Sequence, residues 1–202
     1  MKKKAIILIG FQKDYFSKDG ILHAVVEESL TVFNVLDKTV NVIEKAIKDD
    51  ILVISTPIIF SEDYSELHDP IGILSTIKEV GAFKANTEGS KTIEEIKKFD
   101  GHILEIPGKQ GLNAFINTNL EQVLRDNEIE EVILAGCVCS ICIDSTGRSA
   151  AEKGFSVTML SDCISSRTMF EHKFYHEEVF PLYARVIEAE KLLDGSAVTL
   201  KS

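Results

Sequence analysis

The strongest constraint on what this sequence can fold into is the alternation of short, nearly unbroken apolar runs with amphipathic stretches. Residues 4–9 read Lys-Ala-Ile-Ile-Leu-Ile, and runs of the same kind fall at 51–55, 102–106, 131–136 and 156–160. A strand that is apolar on both faces must be covered on both, as in a parallel sheet between helix layers. Between the first two runs, residues 28–48 carry Leu30, Val32, Phe33, Leu36, Val40, Ile43 and Ile47 close to helical period. Further helices are expected at 92–99, 119–126 and 140–153, the last stopped by Gly154. Residues 64–79 read as a loop with a short helix. A final helical region at 171–193 is interrupted near Pro181. Strands joined through helices pair in parallel by right-handed crossovers. The expected fold is therefore α/β, a three-layer, doubly wound and mainly parallel sheet of five to six strands. No repeat or low-complexity linker divides the 202 residues, so a single domain over 1–202 is expected.

Charge narrows the partners. The formal net charge is −10, the wrong sign for nucleic acid or an anionic membrane surface. No apolar run approaches the roughly 20 residues of a membrane helix. The basic start Met1-Lys2-Lys3-Lys4 leads into an apolar stretch too short for a secretion signal. A cytoplasmic protein with a small-molecule partner is expected. No Gly-rich phosphate loop is present, so no nucleotide cofactor is expected.

Ligands of such sheets bind at the carboxyl ends of the strands. That rule points to residues 10–14, 56–63, 107–109 and 137–142. The last group holds three of the four cysteines, Cys137, Cys139 and Cys142, the fourth being Cys163. No second Cys or His pair has finger-like spacing, so structural zinc is not expected. Cys137, Cys139 and Cys163 read as small buried apolar residues. Cys142 falls near a helix start, where backbone N–H groups and the helix dipole favour a thiolate. Position alone fits a nucleophile and a packed thiol equally well. His172 and His176, four apart on an expected helix, read as a solvated face.

The segment from Glu131 to Gly154 resembles the nucleophile segment of the isochorismatase-like cysteine hydrolases: an apolar strand to Gly136, then Cys142, Thr146, Ala150 and Gly154. Asp162 falls at the usual acidic position of the strand and loop that follow. The stretch Lys109-Gln-Gly-Leu-Asn-Ala-Phe-Ile-Asn-Thr-Asn-Leu is similar to the family's lysine motif, with Lys109 at the catalytic lysine position. The opening strand ends in Gly10-Phe-Gln12-Lys-Asp14-Tyr15-Phe16, where the family usually has Asp-x-Gln-x-Asp-Phe. Gly10 thus stands at the catalytic aspartate position.

The resemblance implies a small-molecule hydrolase acting at an amide, C–N or related acyl bond, with Cys142 as nucleophile and Lys109 as its electrostatic partner. It implies an oxyanion hole at the N–H groups of Val138 and Cys142, a cis peptide at Cys137–Val138, and a homodimer or higher homo-oligomer. The region after the second strand lacks the Asp-x-His of nicotinamidase-like relatives, so no catalytic metal is expected. Expected pocket walls are Phe11, Tyr15, Ile59, Phe60, Leu112 and Phe115, with Phe11 and Phe115 fitting the core equally well.

Glycine cannot move a proton, and general acid help is typically worth about 10²–10⁴-fold. Three routes stay open. Another acid substitutes, from Asp14, Glu62, Asp63, Glu66 and His68 on the rim loops; Asp14 equally fits a turn cap. The substrate carries a better leaving group or its own proton. Or hydrolysis is lost and a small-molecule binding or interaction protein remains. A redox-sensing thiol at Cys142, with Cys139 resolving, is a further alternative.

Overall fold

The computed structural model describes residues 2–194. Six strands form one sheet: β1 (Lys4–Ile9), β2 (Leu52–Thr56), β3 (Ile103–Glu105), β4 (Glu131–Cys137), β5 (Ser156–Ser165) and β6 (Arg185–Ile187). Their order is β3-β2-β1-β4-β5-β6, and every pairing is parallel. The fold is the expected α/β sheet, with helices on both sides.

The helices are α1 (Lys13–Phe16), α2 (His23–Phe33), α3 (Val35–Lys48), α4 (Ile73–Val80), α5 (Glu94–Lys97), α6 (Leu120–Asp126), α7 (Asp144–Glu152), α8 (Met169–Phe174) and α9 (Ala189–Leu193). The continuous apolar runs sort by pleat. Ala5, Ile7 and Ile9 of β1 join Val132 and Leu134 of β4 in one cluster. Ile6 and Leu8 join Ile133 and Ala135 in the cluster on the opposite face. Period-2 alternation with apolar residues at every position thus builds two cores on one sheet.

Three expectations change. The single helix over 28–48 is two helices, because Asn34 adopts a left-handed conformation, φ 51°, and turns the chain between Phe33 and Val35. The helical region over 171–193 contains β6, a three-residue edge strand of half-buried residues whose length leaves no period to read. Its helical part also passes through a π turn at Tyr175–Val179. The helix over 140–153 opens as a π turn, Cys139–Ile143, before α7.

The chain runs outward from β1 through β2 to β3 and then crosses back to β4 on the other side of β1. The reversal falls between β1 and β4, so the crevice of this sheet opens at their carboxyl ends. Those ends are Ile9-Gly10 and Cys137-Val138.

Candidate active site

Two glycines fit the backbone to this crevice. Gly136 has φ 125°, and a Cβ there would stand 1.9 Å from the Ile9 carbonyl oxygen, so no side chain fits between β4 and β1. Gly10 has φ 72°, and a Cβ there would lie 3.2 Å from both the carbonyl oxygen and the sulfur of Cys137, and 3.7 Å from the Tyr15 ring. The space a side chain at position 10 would enter is thus bordered by Cys137 and Tyr15. The Cys137–Val138 peptide is cis.

The loops after the strands are tied together by buried polar side chains. Gln12 donates from Nε2 to the carbonyls of Ile58 (2.8 Å) and Ser90 (2.7 Å), and its Oε1 accepts from the Ile58 N–H (2.8 Å). Asp14 Oδ2 accepts from the Phe83 N–H at 2.6 Å. Burial raises the Asp14 carboxyl, while backbone N–H groups of Phe83 and Ile21 act in the opposite sense. Asp14 thus braces the 80s loop and does not line the cavity described below.

Lys109 is 1% exposed. Its Nζ donates to the Gly111 carbonyl at 2.5 Å and lies 3.5 Å from Cys142 Sγ. The lysine segment is pinned to the cysteine segment a few residues on: the Ala114 N–H donates to Thr146 Oγ1 at 3.0 Å. Thr146 is buried in α7, one turn beyond Cys142. The two motifs thus fold onto each other through a lysine–thiol contact and an amide–hydroxyl bond.

A cavity of about 10 Å³ lies between them, lined by Ile9, Gly10, Tyr15, Ile58, Ile73, Leu74, Ile77, Lys109, Leu112, Cys137, Ile141 and Cys142. That is room for one water. The polar side chains on the wall are an ammonium, a phenol and two thiols, with no carboxylate among them.

Several expected wall residues lie elsewhere. Phe11 stacks on Phe16 with centroids 4.7 Å apart, under the opposite face of the sheet. Phe60 is fully buried against Tyr64, and Phe115 packs on Phe155. Each is core because a large ring on an element end gains more from packing than from lining a small cavity. Ile59 faces outward, and its neighbour Ile58 faces the cavity. Tyr15 and Leu112 do line it. Ile73, Leu74, Ile77 and Ile141 were missed; the two-turn α4 lay inside a segment whose pattern was mixed.

The rim acids are engaged away from the cavity. Glu66 accepts from the Ser61 N–H and hydroxyl and from Gln110. Asp63 accepts from Ser61 and Ser65, and Glu62 from Asn86. His68, like these acids, is absent from the cavity wall. Asp162 accepts from the Ala189 N–H at 2.8 Å and pairs with Lys38 at 3.0 Å, a structural position at the start of α9.

His172 and His176 are buried rather than solvated. They stack on each other with centroids 4.0 Å apart, and His172 stacks on Phe33. Burial pushes the His172 imidazole down to about 3. Among the described residues no group of three or more His, Cys, Asp or Glu side chains is arranged to hold a metal ion.

Of the remaining thiols, burial raises Cys137 well above the ordinary range, and its sulfur donates to the Gly10 carbonyl at 3.5 Å. Cys139 is fully buried and is not part of the cavity wall. Burial raises its thiol.

The chain is thus an α/β protein with a doubly wound parallel sheet, and a cysteine and a buried lysine meet near its switch point. The family model of the Isochorismatase domain matches residues 4–191, and the chain belongs to the isochorismatase family. An uncharacterized isochorismatase family protein of Escherichia coli O157:H7, YecD, is 33% identical over 87 residues, 43% of this chain and 46% of that one. Maleamate amidohydrolase of Pseudomonas putida is 29% identical over 79 residues, 39% of this chain and 37% of that one. The chain spans about half the length of the curated relatives it matches first. A cysteine hydrolase structure from Pseudomonas syringae pv. phaseolicola superposes with TM-score 0.83 at 18% identity, covering 95% of this chain and 91% of that one. That likeness concerns the fold. Among the described residues no helix is long and apolar enough to cross a membrane.

Proposed function

We propose that the protein is a metal-independent cysteine hydrolase of a small amide or related acyl compound, with Cys142 as nucleophile. The observation that carries this is the contact of Lys109 with Cys142. A charge on a side chain 1% exposed is stabilised by a compensating charge beside it. Among the described residues no carboxylate pairs with Lys109, and the group in contact able to carry that charge is the Cys142 sulfur. A thiolate formed at Cys142 would thus meet the Lys109 side chain at the end of β4, at the start of a helical segment.

The thiolate attacks the acyl carbon, and the N–H groups of Val138 and Cys142 take the developing oxyanion. Collapse releases the leaving group and leaves a Cys142 thioester, which water hydrolyses. Kinship with maleamate amidohydrolase supports the amide class. The largely aliphatic cavity wall supports a compact substrate with an apolar body.

The test is capture of the thioester. Incubation with small amides and activated esters, followed by peptide mass mapping, should find acyl mass on Cys142 and turnover that Cys142→Ala abolishes. A protein that binds such compounds without acylation or turnover would instead be a binding protein on this fold.

A further inference from the structure

We propose that Tyr15 is the catalytic proton donor to the leaving group, doing from α1 what an acidic side chain at position 10 would do from the end of β1; this rests on the hydrolase reading above. An amine leaving a tetrahedral intermediate departs with a proton, and the cavity wall holds few groups able to give one. Gly10 carries none. Asp14 is off the wall, with Oδ2 held by the Phe83 N–H and Oδ1 so close to Gly89 that a Cβ there would stand 2.0 Å away. The Cys137 thiol donates to the Gly10 carbonyl. Lys109 donates to Gly111 and to Cys142, and its charge holds the thiolate, so its deprotonation would undo the nucleophile's own stabilisation.

Tyr15 remains. It is 5% exposed, lines the cavity beside Cys142, and its ring reaches within 3.7 Å of where a position-10 Cβ would stand. The ring is fixed by Phe83, centroids 5.0 Å apart. Among the described residues no hydrogen bond engages its hydroxyl. Burial holds that hydroxyl protonated well beyond the ordinary tyrosine range.

The cycle balances. The Cys142 thiolate forms the S–C bond, and the carbonyl oxygen takes the negative charge. On collapse the C–N bond breaks, and the amine nitrogen takes the Tyr15 proton and leaves neutral. The Tyr15 phenolate takes a proton from water as the water oxygen bonds to the thioester carbon. The S–C bond breaks, the acid leaves, and the thiolate and the phenol are restored.

The test follows single-turnover acetylation of Cys142 by a series of acetate esters, from 4-nitrophenyl acetate through phenyl acetate to alkyl acetates, in the full chain and in Tyr15→Phe. Peptide mass mapping separates Cys142 from the other thiols, and Cys142→Ala gives the background. Nitrophenolate leaves without a proton, whereas the more basic leaving groups need one. The ratio of wild-type to Tyr15→Phe rates should grow with leaving-group basicity, toward the roughly 10²–10⁴-fold of general acid catalysis. A packing defect would lower all esters alike, so a ratio constant across the series overturns the proposal. A slope steepened by Cys137→Ala and not by Tyr15→Phe overturns it in favour of Cys137. Failure of 4-nitrophenyl acetate to acetylate Cys142 at all overturns the hydrolase reading itself, an outcome distinct from the other two.

Discussion

The Lys109 nitrogen lies 3.5 Å from the Cys142 sulfur, although 33 residues separate the two in the chain. One comes from the loop after β3 and the other from the turn after β4, strands at positions one and four of the sheet. The bond from the Ala114 N–H to Thr146 brings these distant segments together.

Removing the cation should slow the thiol. In Lys109→Met, alkylation of Cys142 by iodoacetamide at neutral pH is expected to fall on the order of tenfold or more, since a charge pair near 4 Å contributes about 1–4 kcal/mol at intermediate dielectric. Peptide-resolved mass spectrometry reads Cys142 apart from the other cysteines. Equal rates in both proteins would remove the ion-pair argument.

Thr146→Val keeps the shape and removes the acceptor of the Ala114 N–H. A buried donor left without a partner costs about 1–3 kcal/mol, which urea unfolding would measure. The lysine loop is then free to drift, so Cys142 alkylation should slow as well. Loss of stability with unchanged alkylation would show that Lys109 is positioned by other contacts.

Gly10→Asp is not a simple restoration. A positive φ costs an L residue roughly 1–2 kcal/mol, and the new Cβ would meet Cys137 at 3.2 Å on two atoms. The variant should be less stable by about that amount and gain no amide turnover. Adding Cys137→Gly, which opens the space, should recover part of the stability. A stable, more active single variant would mean that position 10 tolerates an acid as it stands.

The buried imidazoles set an acid limit. The folded His172 sits at about 3, and His176 is also lowered, chiefly by burial. Below the ordinary value near 6.5 the unfolded chain takes up protons that the folded chain refuses. The stability these groups allow is therefore complete above about pH 6.5 and is lost as pH falls toward the folded values. Urea midpoints should drop between pH 7 and 5, before most carboxylates titrate. His172→Phe, which keeps the stack on Phe33, should shallow that slope; an unchanged slope would place the sensitivity elsewhere.

By itself the sequence determined the parallel sheet and where its crevice carries chemistry. Apolar side chains at every position of β1 and β4 can be buried only between two layers, and that property is local to each run. The spacing from Gly136 through Cys142 and Thr146, and the segment from Lys109, were legible because each lies within one short stretch. Tertiary structure decided what depends on neighbours brought from afar. Phe11, Phe60 and Phe115 became core because of the surfaces that met them. His172 and His176 share their spacing with an exposed helix face, and only the packing of Phe33 on His172 and of Phe180 on His176 settles their burial. β6 is three residues on a sheet edge, too short to show a period, and exists because β5 offers it hydrogen bonds.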